Sequence, residues 1–134
     1  MRVNPIMNIT GQMPYQKHAR KPTRKPRGEA ESVWARYGSD EDYKAWCRTR
    51  PSAYNPRNTP SNSKIEYCHY RTASNSGIAI KPPYSGIPMT MQEHQIQHRV
   101  GTFSFMERER WEYLVLEHLK AWARSTGKPL HWKE

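Results

Sequence analysis

Three histidines carry the chemistry this sequence could perform. His94 and His98 stand four residues apart. On a helix that spacing puts both imidazoles on one face, ~6 Å apart along the axis. Two nitrogens so placed can grip one divalent metal ion. His69 lies upstream in the stretch IEYCHYR. It could complete a metal site, or it could take a proton from water as a general base. An H-x-x-x-H pair on an exposed helix is by default two surface histidines. Here His69-Tyr70-Arg71 precedes it, and Lys81 and Arg99 add positive charge nearby. No Glu follows the first histidine of the pair, so this is not a metalloprotease signature.

The elements that would position these residues follow from local signals. Residues 65–71 alternate like a strand, with Tyr67, His69 and Arg71 on one face and Glu66, Cys68 and Tyr70 on the other. Residues 72–77 (TASNSG) read as a turn, and a second strand fits near Gly86–Met89. Thr90 and Glu93 form a capping box that opens a helix running to about Val100 and stopping at Gly101. Upstream, residues 29–50 read as helical, with Ser39 and Asp42 as a capping signal and Pro51 as the stop. Residues 51–64 read as a loop. A last helix spans about Glu107–Arg124, with Trp111, Leu114, Val115, His118, Leu119 and Trp122 as its apolar stripe. His118 reads as a satisfied core histidine, and Trp34, Trp46, Trp111 and Trp122 as core. His18 and His131 read as solvated. Arg108 and Arg110 fit either a phosphate track or surface ion pairs.

Composition narrows the partners. The chain has 134 residues, 22 Lys and Arg against 12 Asp and Glu, and a formal charge of +10. Residues 1–28 carry Arg2, Lys17, Arg20, Lys21, Arg24, Lys25 and Arg27, four prolines and no acid. They account for +7 of the charge, leaving +3 for the rest. This Pro-spaced tract reads as a disordered arm that grips phosphates without regard to sequence. Leu, Ile, Val and Phe number only 17. That is below the rough 20% where disorder sets in, yet five Trp and eight Tyr demand packing. A small folded part beside a long unfolded part is therefore expected. No apolar run approaches the ~18 residues of a membrane span, and the N-terminus has no secretory h-region. Two cysteines, Cys47 and Cys68, form no disulfide scaffold. A cytoplasmic location, in a bacterial host cell, is expected.

A strand histidine, a second strand and a helix bearing two histidines is the layout of a ββα-metal nuclease site. The chain resembles the phage and prophage HNH endonucleases of that superfamily. It is similar in particular to Ref-like, RecA-dependent nucleases. The resemblance rests on Cys68-His69-Tyr70-Arg71, Gly77, Lys81-Pro82-Pro83, Pro88-Met89, His94, His98 and Gly101, taken in order. Tyr43-x-x-Trp46, Arg48-Thr49-Arg50-Pro51 and the stretch 103–122 resemble the family's flanks, so about residues 35–125 are covered.

The resemblance implies an α+β fold: a small ββα-metal motif with flanking helices and a disordered basic N-terminal arm. The expected division is an arm over 1–32, a nuclease domain over 33–126 and a tail over 127–134. It implies a metal-dependent DNA endonuclease acting in phage or mobile-element recombination. The partners would be DNA and a RecA-type recombinase filament. His69 would be the general base and His94 and His98 metal ligands; Arg71, as a catalytic residue, and Lys81 would contact phosphate or transition-state charge, and Arg99 the nucleic acid. The ion would be Mg²⁺ or Mn²⁺; with Zn²⁺, His69 could itself be a ligand. Two departures stand out. Ser52-Ala53-Tyr54-Asn55 replaces the Cys-x-x-Cys of a structural zinc site. Tyr84-Ser85-Gly86 stands where an Asp or Asn is common. The competing classes are a non-catalytic nucleic-acid-binding recombination accessory protein and a zinc-stapled interaction module.

Overall fold

The computed structural model describes residues 27–70 and 82–134. Lys17, Arg20, Lys21, Arg24, Lys25, Arg71 and Lys81 lie outside the described residues, as does the expected turn at 72–77. The elements are α1 (Arg27–Glu31), a 3-10 turn (Val33–Tyr37), α2 (Asp40–Cys47), β1 (Ile65–His69), β2 (Gly86–Thr90), α3 (Met91–Val100), α4 (Thr102–Phe105) and α5 (Arg108–Ser125). The fold is α+β, with β1 and β2 paired antiparallel.

The helix expected over 29–50 is divided into three pieces. Ser32 caps the 3-10 turn by accepting the Trp34 N–H, and Gly38 ends it. A Cβ at Gly38 would lie 3.0 Å from both the Trp122 ring and the Asp42 carboxylate. Glycine therefore permits a close approach there that a continuous helix would not. α2 then starts afresh from Ser39, in a capping box with Asp42. Thr90 and Glu93 open α3 in the same way. Each box satisfies backbone N–H groups that a helix start otherwise leaves unpaired. The one-turn α4 follows Gly101, which stands at φ 99. It was not expected from the sequence, because TFSF is too short to show a period.

Strand alternation divides the core. Tyr67 joins Tyr37, Tyr43, Cys47, Tyr84, Leu119 and Trp122. Cys68, Ile87 and Met89 join Ala53, Trp111 and Leu114. α5 supplies residues to both groups, which is why its stripe is wide. Aromatic rings replace the missing aliphatics: Trp122 lies 5.2 Å from Tyr43 and stacks on Tyr84 at 5.9 Å between centroids. The Tyr43 hydroxyl donates to the Gly86 carbonyl at 2.8 Å, tying α2 to β2.

Both chain ends of the described fold are more engaged than the sequence suggests. Glu29 of α1, expected within the arm, is buried and accepts from the Tyr84 hydroxyl and the Asp40 N–H. His131, expected to be solvated, is half-buried, because its N–H donates to the Tyr37 hydroxyl at 2.8 Å and its ring meets Trp34 edge-on. No helix among the described residues is long and apolar enough to cross a membrane.

Cys47 and Cys68 are fully buried and unbridged. Burial pushes the Cys47 thiol up to about 12. Neither cysteine is expected to react with a thiol reagent in the native protein, and both should react in denaturant. Rapid labelling of either native thiol would contradict this packing.

Candidate functional site

β1, β2 and α3 follow one another in space as in sequence. β2 runs directly into α3, so the capping box at Thr90 fixes the angle between sheet and helix. The register places His69 opposite Gly86. A Cβ at Gly86 would lie 2.5 Å from the Tyr67 ring and 2.6 Å from the Cys68 carbonyl. Tyr67 is itself buried and stands edge-on to the His69 ring at 5.1 Å. Gly86→Ala is therefore expected to cost about 1–3 kcal/mol by overpacking and to displace the His69 ring. Chemical denaturation and the imidazole NMR shifts of His69 would read both effects; unchanged values would show that the strand pair yields freely.

The helix histidines converge. Their Nε2 atoms lie 3.0 Å apart, and the ring centroids 4.7 Å apart. On the far side of His94, Nδ1 meets Glu66 Oε1 at 2.9 Å. The carboxylate can only accept here, so His94 Nδ1–H donates to it and the Nε2 lone pair faces His98. At 3.0 Å the His98 Nε2–H can donate to that lone pair. With that proton removed, the same two lone pairs suit a divalent cation. The carboxylate behind a ligating imidazole is the usual support of such a site. Lys64 neighbours the same carboxylate at 3.7 Å.

His69 is held differently. Its Nδ1 lies 3.3 Å from the Ser85 hydroxyl. That hydroxyl gives its own proton to the Pro82 carbonyl at 2.6 Å. It can then only accept from His69, so Nδ1 carries the proton and Nε2 is the basic nitrogen of the neutral ring. The backbone of His69 is fixed by Gln97, whose Nε2 donates to the His69 carbonyl at 3.2 Å. Gln97 also accepts from the Cys68 thiol and donates to Thr102. This fully buried amide thus locks α3 to the end of β1.

Of the expected site residues, the structure brings His94 and His98 together; His69 stands at the end of β1 and is not gathered with them into one cluster among the described residues. Glu66 and Cys68 reach toward α3, while Tyr67 and His69 share the opposite strand face. Among the described residues, no three His, Cys, Asp or Glu side chains gather to hold a metal ion. Arg99 follows His98 on α3 and is exposed; Arg27 begins α1. Arg108 donates to the Tyr70 hydroxyl at 3.0 Å and lies over the Phe103 ring, and forms no ion pair among the described residues. Glu66 and Gln97 were not anticipated as site residues. Glu66 was legible only as a strand residue facing away from His69, and Gln97 only as the residue three after His94.

The two departures have structural replacements. Ser52 is buried and donates to Glu93 Oε1 at 2.6 Å, while accepting from the Tyr54 and Asn55 N–H groups. The loop is thereby tied to the start of α3 by hydrogen bonds. Tyr84 takes the left-handed conformation at φ 54. Asn and Asp tolerate that region better than Tyr does. The strain is offset by core packing and by hydrogen bonds from the Tyr84 N–H to Asp40 and from its hydroxyl to the Gly38 carbonyl. Burial, with Glu29 alongside, raises the pKa of that hydroxyl.

Comparison with protein-family models, with curated proteins and with solved structures finds no match.

Proposed function

We propose that this chain is a metal-dependent HNH-type endonuclease that hydrolyses DNA phosphodiester bonds in phage or mobile-element recombination. The observation that carries this reading is the meeting of the His94 and His98 Nε2 atoms at 3.0 Å, with Glu66 behind His94. These two imidazoles would hold a divalent ion, Mg²⁺ or Mn²⁺, with Zn²⁺ the alternative. Bound there, the ion supplies positive charge for the scissile phosphate and the leaving oxygen. His69, with Nδ1 proton-bearing toward Ser85, takes the proton of the attacking water at Nε2. Arg71, Lys81, Arg99 and the basic residues of the N-terminal arm hold the flanking phosphates.

The rival reading is a non-catalytic nucleic-acid-binding accessory protein. Tyr84 favours it, because the position at which relatives carry Asp or Asn is given over to core packing. Nicking of supercoiled and single-stranded DNA by metal-stripped protein separates the two. Cleavage restored by Mg²⁺, Mn²⁺ or Zn²⁺, and lost again on chelation, is expected. DNA binding without cleavage under every metal, with and without a recombinase filament, would overturn the enzyme reading.

A further inference from the structure

A second recess lies on other elements, between α2, the loop that follows it and α5. Its volume is about 350 Å³. That is at the small end of the roughly 300–1,000 Å³ typical of small-molecule sites. Its walls include Trp46 and Leu114, and its rim carries Arg50, Arg110 and Glu117. The Arg50 guanidinium lies over the Trp46 ring, 5.4 Å from its centroid. Glu117 is engaged by Lys120 at 3.1 Å. Among the described residues, neither Arg50 nor Arg110 forms an ion pair. Two cations without acids therefore border an apolar slot.

His118 lines the same recess and gives it a directional polar group. Its Nδ1 lies 2.8 Å from the Leu114 carbonyl, so Nδ1 carries the proton and Nε2 is an acceptor. Burial holds this imidazole below its ordinary pKa, and the Arg50 charge acts in the same direction. The ring is thus neutral at pH 7.

From this combination we infer that the recess binds a nucleotide. The base enters the recess against Leu114, His118 accepts an N–H from the base, and Arg50, resting on Trp46, and Arg110 take the phosphate. An apolar recess alone would suit any small hydrophobe. The paired guanidiniums select one that carries an anion, as phosphate recognition by arginine requires. The acceptor favours a base that bears an amino group. The same chemistry is offered by a free nucleotide and by an unpaired residue of a DNA single strand.

This inference does not depend on cleavage at His94 and His98, because it concerns binding at different residues. It is tested on the full chain in chelator, by calorimetric titration with dAMP, with deoxyadenosine and with a short oligo-dA strand. The double variant Arg50→Ala/Arg110→Ala is expected to weaken dAMP or oligo-dA binding by about tenfold or more. His98→Ala should leave both unchanged, and deoxyadenosine should bind more weakly than dAMP. Response of both ligands supports a pocket open to free nucleotide and strand alike. Response of oligo-dA alone assigns the pocket to an unpaired strand residue. Equal binding by the wild type and a double variant with an unchanged circular dichroism spectrum would overturn the assignment. So would loss of binding in His98→Ala alone. His118→Phe gives an independent check, lowering the preference for dAMP over dTMP if the acceptor reads the amino group.

Discussion

Replacing His69 with alanine is expected to slow DNA nicking by about 10²–10⁴-fold at saturating metal, the usual contribution of a positioned general base. DNA binding should be retained, because the proposed phosphate grip lies in the cationic side chains. His94→Ala and His98→Ala should behave differently. Each removes one of two convergent nitrogens, so the metal concentration needed for half-maximal nicking should rise before the limiting rate falls. Glu66→Gln keeps the shape of the contact to His94 Nδ1 and removes its charge. A loss of about 10–100-fold in metal affinity or activity is expected, as for other carboxylates behind a ligating imidazole. Metal titration of initial nicking rates for the four variants would distinguish the roles. If His69→Ala shifted only the metal requirement, His69 would be a ligand. If all four nicked like the wild type, the proposed site would be wrong.

Trp122→Ala is expected to destabilise the fold by about 3–5 kcal/mol, the range for truncating a buried Trp. Against a typical total of about 5–15 kcal/mol, this could unfold the chain at ordinary temperature. The effect should be large because one indole serves several elements. It packs on Tyr37 from the 3-10 turn, on Tyr43 from α2 and on Tyr84 just before β2. Tyr84 in turn precedes Ser85 and Gly86, which flank His69. Trp122→Phe should cost less, since a ring still fills most of the space. Denaturant melts read by far-UV circular dichroism would check both. A Trp122→Ala melt within 1 kcal/mol of wild type, read on the scale of typical core truncations, would show that the cluster collapses to fill the gap.

The helix α3 illustrates how far a sequence pattern can mislead. Its exposed side carries Ile96 and Val100, while Glu93 and Gln97 are buried. Read by hydrophobic period, the helix would turn the other way. Polar satisfaction decides the matter. Glu93 receives Ser52 and the Thr90 N–H, and Gln97 receives Cys68 and donates to the His69 carbonyl and Thr102. A buried polar group with all its partners is tolerated, and the deciding ones, Ser52, Cys68 and the His69 carbonyl, lie on a distant loop and a distant strand. No local window contains them. The same limit explains the divided helix at 29–50. Gly38 and Ser39 were visible, but the Trp122 ring that makes the break a close-packed turn comes from α5.

What the sequence determined by itself was local. Capping residues fixed where α2 and α3 begin, because a side chain three residues away completes each cap. The four-residue spacing placed His94 and His98 on one face, because helical pitch leaves no other arrangement. Alternation marked β1, and a second strand was legible near Gly86–Met89. Only the tertiary structure decided what surrounds those histidines. It set Glu66 behind His94, Ser85 against His69, and Gln97 between the strand and the helix. Each of these contacts joins residues 16 to 28 positions apart. Long-range packing selects such partners through the register of β1 against β2 and the tilt of α3, and neither is encoded in any single stretch of chain.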